Sequence, residues 1–152
     1  MRQNGFTLLE VLVAMVIVSI GLVGLAGLMM TSAKNNQSAY YRSQASWMAY
    51  DIIDRIRANR GAATNGSGAY NIALGVSPSG CSASVPATDL CQWKNSELAI
   101  GLPSGDGLVS VAGSGSAAVV SVTVRWDDSR GLGKNANFTG SQIKSISIQT
   151  QL

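Results

Sequence analysis

The sequence predicts an α+β protein with a long N-terminal helix and a C-terminal antiparallel sheet. Residues 6–30 are almost purely apolar, and residues 31–60 space their apolar side chains as an amphipathic helix does. Residues 106–152 alternate apolar and polar side chains with the period of two of a half-buried strand. Residues 61–105 are rich in turn-forming residues and are expected to connect the helix to the sheet.

The apolar segment is long enough to cross a membrane. Its polar side chains are Thr7, Glu10 and Ser19. As a helix, residues 6–30 would span about 37 Å, more than the ~30 Å hydrocarbon core of a bilayer. A secretory signal peptide and a plain single-pass anchor are the alternatives. The segment is about twice as long as a signal h-region, and neither alternative explains the glutamate.

Glu10 is therefore the residue that needs a partner. A carboxylate costs about 2.5–3.5 kcal/mol near the bilayer centre and less near an end. Cleavage between Gly5 and Phe6 would free an α-amino group one helical turn before Glu10. This amine could pair with Glu10 of the same chain or of a neighbour, and a low dielectric would strengthen the attraction. We expect Glu10 to be an assembly contact.

These residues resemble the processing site of type IV prepilins: a short leader (residues 1–5) with a charge at Arg2, then Gly5, Phe6 and Glu10 at the required spacing. The resemblance implies that prepilin peptidase cuts after the glycine and methylates the new N-terminal Phe6. It also implies a type IV pilin fold, with helices packed side by side in a filament and each glutamate meeting a neighbour's amine.

One feature of the apolar helix departs from that family. Major pilins often carry a proline near its middle, whereas Gly27 stands in that region here. Together with Gly21 and Gly24 it would weaken a soluble helix, yet glycine is common in membrane helices, where it allows close packing. Loosening of the helix at these glycines during assembly is a hypothesis.

The second half of the helix, residues 31–60, carries one apolar stripe. Its members are Tyr41, Ala45, Met48, Ala49, Ile52, Ile53 and Ile56. Three arginines stand in the last turns, where the helix dipole favours cations: Arg55, Arg57 and Arg60. Asp51 and Asp54 precede the first two at pairing distance, and Gly61 suits the position after the helix. The arginines serve as helix-end charges, as a docking surface for another subunit, or as a DNA contact.

Cys81 and Cys91 are the only cysteines. If the head lies outside the cytoplasmic membrane, a disulfide between them is expected. Closing this loop would stabilise the fold by about 2.8 kcal/mol in the chain-entropy model. A metal site or a redox pair fits less well, because the chain has no histidine and the spacing is not C-x-x-C. A short helix is predicted around residues 93–100.

Three strands are predicted, at residues 107–113, 119–126 and 145–152, with the first two joined as a hairpin. Their inward side chains should pack on the helix stripe: Val120, Val122, Val124, Trp126, Ile146, Ile148 and Leu152. The three tryptophans, Trp47, Trp93 and Trp126, are expected in core or rim packing rather than in a ligand platform.

Residues 39–60, 92–107 and 122–128 resemble PilV-type minor pilins, the type IV pilus modification proteins. This resemblance implies a low-abundance subunit that helps other minor pilins to prime pilus assembly and is incorporated at the filament tip, where it affects adhesion and twitching motility. The implied partners are minor and major pilins, prepilin peptidase and the inner-membrane assembly machinery. Arg2 favours a cytoplasmic N-terminus by the positive-inside rule, with a periplasmic head that later becomes extracellular in the pilus.

Other functions remain open from the sequence alone. A type II secretion pseudopilin shares the N-terminal features, and a DNA-uptake pilin would use four basic residues: Arg55, Arg57, Arg60 and Lys134. The net charge of +3 is too diffuse to make nucleic acid the expected partner. A membrane-tethered enzyme is disfavoured because histidine is lacking and no nucleophile site is recognisable, so no cofactor is expected. Asp127, Asp128 and Asn135 are a weak calcium candidate that matches no EF-hand.

Overall fold

A computed structural model describes residues 7–132 and 142–152 of the chain. It confirms the α+β class: one long helix packs against a three-stranded antiparallel sheet. The helical elements are α1 (Leu8–Ala58), α2 (Arg60–Thr64), α3 (Val85–Cys91), a π-helix (Gln92–Leu98), α4 (Ala99–Gly101), a 3₁₀ turn (Gly115–Ala117) and α5 (Ser129–Leu132). The strands are β1 (Asp106–Ala112), β2 (Val119–Asp127) and β3 (Ile143–Gln151).

Helix α1 runs without a break through Gly27. Its buried residues are the seven members of the predicted stripe, so the three- and four-residue spacing located the packed face correctly. At about 1.5 Å per residue the helix is about 77 Å long, and among the residues that the structure describes only its C-terminal half contacts other elements. The head is therefore built on one end of a rod.

The end of α1 differs from the prediction. The helix stops at Ala58 rather than at residue 60, because Asn59 leaves helical geometry with φ −115° and ψ 42°. The side chain of Asn59 donates a hydrogen bond to the Tyr70 hydroxyl at 3.2 Å, which ties this residue to the connecting region. Gly61 consequently lies inside α2 and does not cap α1.

The connecting region holds the expected disulfide between Cys81 and Cys91, with their Cα atoms 5.6 Å apart. Its helical part begins earlier than predicted, at Val85 instead of near residue 93. Ser84 starts this helix, because its hydroxyl accepts a hydrogen bond from the Ala87 N–H at 3.3 Å, and a proline follows in the first turn. Ser84 and Pro86 are a recognised helix-start signal, although they lie in a segment rich in turn-forming residues.

The π-helix turns three side chains inward. Trp93, Lys94 and Leu98 are all buried, and the i→i+5 hydrogen bonding of a π-helix brings residues five apart, such as Trp93 and Leu98, onto the same side. The indole N–H of Trp93 donates to the Met48 carbonyl of α1 at 2.8 Å. This bond crosses the core and joins the connecting region to the long helix.

The sheet has the order β1–β2–β3, and both pairs are antiparallel. The inward side chains of β2, Val120 to Trp126 at alternate positions, are buried as predicted. The inward side chains of β3, Ile146 and Ile148, pack against the same core but remain half-exposed. Trp47 was expected in core or rim packing, and it instead lies on the outer face of α1 with 71% of its surface exposed.

Gly107 generates a prediction about the core. A Cβ at this position of β1 would lie 2.3 Å from the Trp93 ring. Gly107→Ala should therefore lower the free energy of unfolding by about 1–3 kcal/mol through overpacking. Thermal unfolding of the full chain in detergent micelles measures the loss.

The matched control is Gly61→Ala, because nothing lies within 4 Å of a Cβ at Gly61. This change should be neutral or slightly stabilising, since alanine favours a helix. Equal melting temperatures for the two variants would contradict the proposed contact between Gly107 and Trp93.

Candidate functional site

The start of α1 is organised by Thr7. Its backbone is extended at φ −82° and ψ 148°, and its hydroxyl accepts a hydrogen bond from the Glu10 N–H at 3.3 Å. The Thr7 carbonyl also accepts from the N–H groups of Glu10 and Val11, at 3.1 and 3.3 Å. Sequence analysis did not identify Thr7 as the cap, although Thr-x-x-Glu before an apolar run is a recognised signal.

Glu10 therefore lies in the first turn of α1. A carboxylate is favourable there because the N-terminal end of a helix carries partial positive charge. Gly5 and Phe6, the predicted cleavage residues, lie outside the described residues, as does Arg2. Cleavage, methylation and the pairing of Glu10 with an amine stay predictions.

The apolar half of α1 is bare. Every large apolar side chain from Leu8 to Met30 is exposed, and the best 18-residue window has a mean hydropathy of 2.7 with none of it buried. Within the described part of the chain, nothing packs over this surface. Exposing an apolar surface of this size to water is unfavourable, so we expect lipid or other helices to cover it.

The few hydroxyls along this half are compatible with an apolar environment. Ser19 donates a hydrogen bond to the Met15 carbonyl at 2.7 Å, and Thr31 donates to the Gly27 carbonyl at 3.0 Å. These two hydroxyls are thus satisfied by carbonyls of their own helix. At Gly21, Gly24 and Gly27 nothing lies within 4 Å of an added Cβ, so these glycines leave room for a neighbouring helix.

At the other end of α1, Arg55 belongs to a network inside the head. It binds Asp51 at 2.7 Å, as predicted, and also pairs with Glu97 of the π-helix. Burial tends to lower the pKa of Arg55, but these two carboxylates outweigh burial and raise it. Arg57 makes the predicted pair with Asp54, at 3.1 Å.

The arginine cluster is thus divided. Arg55 joins the helix to the connecting region. Arg57 and Arg60 are exposed, and Arg57 also donates to the Thr150 hydroxyl of β3 at 2.9 Å. Docking of another subunit on these residues stays a prediction. Lys134, the fourth residue of the DNA-uptake alternative, lies outside the described residues.

A second polar contact near Arg55 involves Tyr70, which sequence analysis missed. The Tyr70 hydroxyl donates to Asp89 at 2.7 Å and its ring is fully buried. Burial and the hydrogen bond to Asp89 raise the pKa of Tyr70 to about 12. The hydroxyl thus stays protonated at neutral pH and links α3 to the end of α1.

Lys94 is the other missed residue. Its side chain is 5% exposed, and its ammonium lies 3.0 Å from Asp106 and donates to the carbonyls of Ala73 and Val76 at 2.7 and 2.6 Å. Asp106 also pairs with Arg125 at 3.2 Å. The buried lysine thus fixes residues 73–76 against the start of β1. No pattern in the sequence predicts that Lys94 is buried.

The two described residues of the calcium candidate, Asp127 and Asp128, each bind a different part of the chain. Asp127 accepts a hydrogen bond from the Ser129 N–H at 2.9 Å, and Asp128 accepts one from the Ser38 hydroxyl of α1 at 2.6 Å. Asn135 lies outside the described residues. Asp127 thus caps a local turn and Asp128 ties the end of β2 to α1, and calcium binding by these residues stays a prediction.

Comparison with known proteins supports the interpretation of the N-terminal segment. Residues 1–26 match the family model of the prokaryotic N-terminal methylation motif. No curated protein and no solved structure matches the chain. The match and the exposed helix support a membrane-anchored, type IV pilin-like or pseudopilin protein, and the motif is typical of structural proteins rather than of enzymes.

The Lys94–Asp106 pair generates a stability prediction. Asp106→Asn would leave the buried ammonium without its counter-charge, so we expect the free energy of unfolding at pH 7 to fall by about 2–4 kcal/mol. The control is Asp54→Asn, because Asp54 is 70% exposed and its pair with Arg57 should contribute less than about 1 kcal/mol. Equal losses in thermal unfolding of the two variants would contradict the role of the buried pair.

The same pair predicts a pH dependence. Burial tends to raise the pKa of Asp106, but hydrogen bonds from Lys94 and from the N–H groups of Gly75 and Gly107 outweigh it and lower the pKa below the ordinary value of 3.8. Its contribution to stability is thus complete above pH 3.8 and is lost as the pH falls through the lower folded pKa. The difference between wild type and Asp106→Asn should shrink in unfolding curves below that pH.

Proposed function

We propose that the chain is a structural subunit of a type IV pilus, processed between Gly5 and Phe6 and assembled through α1. The single observation that carries this proposal is an exposed apolar helix whose first turn holds one carboxylate, Glu10, inside the segment that matches the methylation motif. The geometry supplies a contact surface and one charge for a partner. Such an arrangement suits assembly, and we assign the chain no catalytic role.

Glu10 has a defined task in this proposal. In an apolar surrounding a lone carboxylate is unfavourable, and the methylated amine of Phe6 in a neighbouring subunit would neutralise it. Because the amine exists only after cleavage, an unprocessed chain lacks the counter-charge. Processing would thereby control assembly, while Gly21, Gly24 and Gly27 let neighbouring helices approach closely.

Within pili we propose a PilV-type minor pilin that helps other minor pilins to prime assembly and is incorporated at the tip. The resemblance of residues 39–60, 92–107 and 122–128 supports this finer role. Before assembly the chain would span the inner membrane once, with a cytoplasmic N-terminus and a periplasmic head held by the Cys81–Cys91 disulfide. After assembly it would be extracellular and would influence adhesion and twitching motility.

The type II secretion pseudopilin is the alternative that shares the whole N-terminal arrangement. The long connecting region with its disulfide loop favours the pilus subunit. The genes beside the coding sequence separate the two, because a pilin would accompany other minor pilins and a pseudopilin would accompany a secretion channel.

Processing provides the first test. Intact mass measurement of the purified native chain should show loss of residues 1–5, one added methyl group, and two hydrogens missing from the oxidised cysteines. Gly5→Ala should retain the leader, because the peptidase recognises the glycine. A working, exported chain that still carries residues 1–5 would overturn the proposal.

Assembly provides the second test. Glu10→Ala should be processed normally but should enter purified pili at least about tenfold less, because a charge-assisted contact contributes more than 1.4 kcal/mol. Glu10→Gln is the matched control: it keeps size and polarity and lacks charge, so it should behave like the alanine variant. Normal incorporation of either variant would contradict a charge pair at this position.

A further inference from the structure

Strand β3 forms one edge of the sheet. Its nine residues pair with β2 in continuous register, with no bulge. The strand carries a single charge, Lys144, and no proline. Natural proteins usually protect an exposed edge with charges, proline or a bulge, because its unpaired N–H and C=O groups attract other strands. This edge has little such protection.

Two hydrogen bonds at the ends of the β2–β3 ladder show which groups face the open side. The Asp128 N–H donates to the Gln142 carbonyl, and the Leu152 N–H donates to the Ala118 carbonyl, both at 2.9 Å. Positions in an antiparallel ladder alternate between bonded and non-bonded pairs. Even-numbered residues of β3 therefore bond to β2, and odd-numbered residues direct their N–H and C=O groups outward. These are Ile143, Ser145, Ser147, Gln149 and Gln151.

The backbone hydrogen bonds among residues 7–132 and 142–152 do not reach these outward groups, although the Gln151 carbonyl accepts one from the Thr150 hydroxyl at 3.3 Å. The side chains follow the same alternation. Ile146 and Ile148 face α1 and are only half-buried, because the core ends beneath β3. Ser145, Ser147 and Gln149 lie on the exposed polar face. The edge thus presents a row of backbone N–H and C=O groups. The half-buried Ile146 and Ile148 lie on one face of this edge, and polar side chains lie on the other.

We propose that the open edge of β3 binds an extended segment of a different protein, which joins the sheet as a fourth strand. Only an extended backbone satisfies a row of alternating N–H and C=O groups. The segment would place β-branched apolar residues at alternate positions over Ile146 and Ile148, and uncharged polar residues on the other face. An acidic residue opposite Lys144 would complete the match.

A second copy of the chain does not fit this edge. Antiparallel pairing of two β3 edges relates the two copies by a two-fold axis perpendicular to the sheet. This axis reverses every direction in the plane of the sheet, including that of a helix lying along it. Helix α1 packs on the sheet face, so the two bare apolar halves would point in opposite directions and could not enter one membrane. Parallel pairing would put the two helices on opposite faces and separate the two incomplete apolar layers. This step rests on the proposed membrane anchoring.

Amide hydrogen exchange of the isotope-labelled full chain in detergent micelles tests the edge. In the free chain the odd-numbered amides of β3 should exchange faster than the even-numbered ones. The probe is a blocked peptide of alternating valine and threonine with a glutamate at each end, and it should slow the odd-numbered amides by at least about tenfold. Odd-numbered amides that are already protected in the free chain, or that the peptide leaves unchanged, would overturn the proposal.

Two variants at Ser147 separate backbone pairing from other effects. Ser147→Pro removes an outward N–H without breaking the β2–β3 ladder, and it also removes the hydroxyl bonded to Thr123 at 3.1 Å. Ser147→Ala removes only the hydroxyl. The alanine variant should bind the peptide about as tightly as wild type, and the proline variant at least about tenfold more weakly.

Equal peptide affinity of the two Ser147 variants would contradict strand addition. If the proline variant does not fold, hydrogen exchange of the wild-type chain with and without the peptide still decides whether the edge binds a strand. Protection of the odd-numbered amides that grows with protein concentration in the absence of peptide would show that a second copy occupies the edge, and would overturn the choice of partner. None of these outcomes depends on processing at Gly5, so they are separable from failure of the pilin proposal.

Discussion

The head depends on one contact, the packing of the α1 stripe against the inward face of β2. Ile52, Ile53 and Ile56 of the helix are fully buried, and Val122 and Val124 of the strand are fully buried with them. A three-stranded sheet has a marginal core, so it needs a helix across one face. Because the apolar half belongs to the same continuous helix, the packing of the head on the stripe also sets the direction of the apolar half relative to the head.

The two halves of α1 share one secondary structure but are suited to different surroundings. Toward the C-terminus the polar residues are confined to one face, and the chain covers the other face itself. Toward the N-terminus apolar side chains occur all round the helix and only Glu10 is charged, and the described residues of the chain do not cover this half. This division makes the head a folded unit and leaves the apolar half available for lipid and neighbouring helices.

The connecting region is held by buried polar contacts in addition to its short helices. Lys94 binds two loop carbonyls and Asp106, Tyr70 binds Asp89, and Trp93 donates to the backbone of α1. Each group would be costly if left unpaired, so together they favour one arrangement of the loop over others. The disulfide closes the remaining segment, and within the described part of the chain no further strand pairs with the outer edge of β3.

The sequence by itself determined the fold class, the buried stripe of α1, the inward residues of β2, the cysteine pair and the exceptional position of Glu10. These follow from periodicity, from composition and from the properties of single residues. Tertiary structure alone decided that α1 ends at Ala58, before Asn59 turns to bind Tyr70, that Trp47 is exposed, and that a lysine lies in the core. Such features depend on partners distant in the chain, and neither residue spacing nor propensity reports which distant groups will meet.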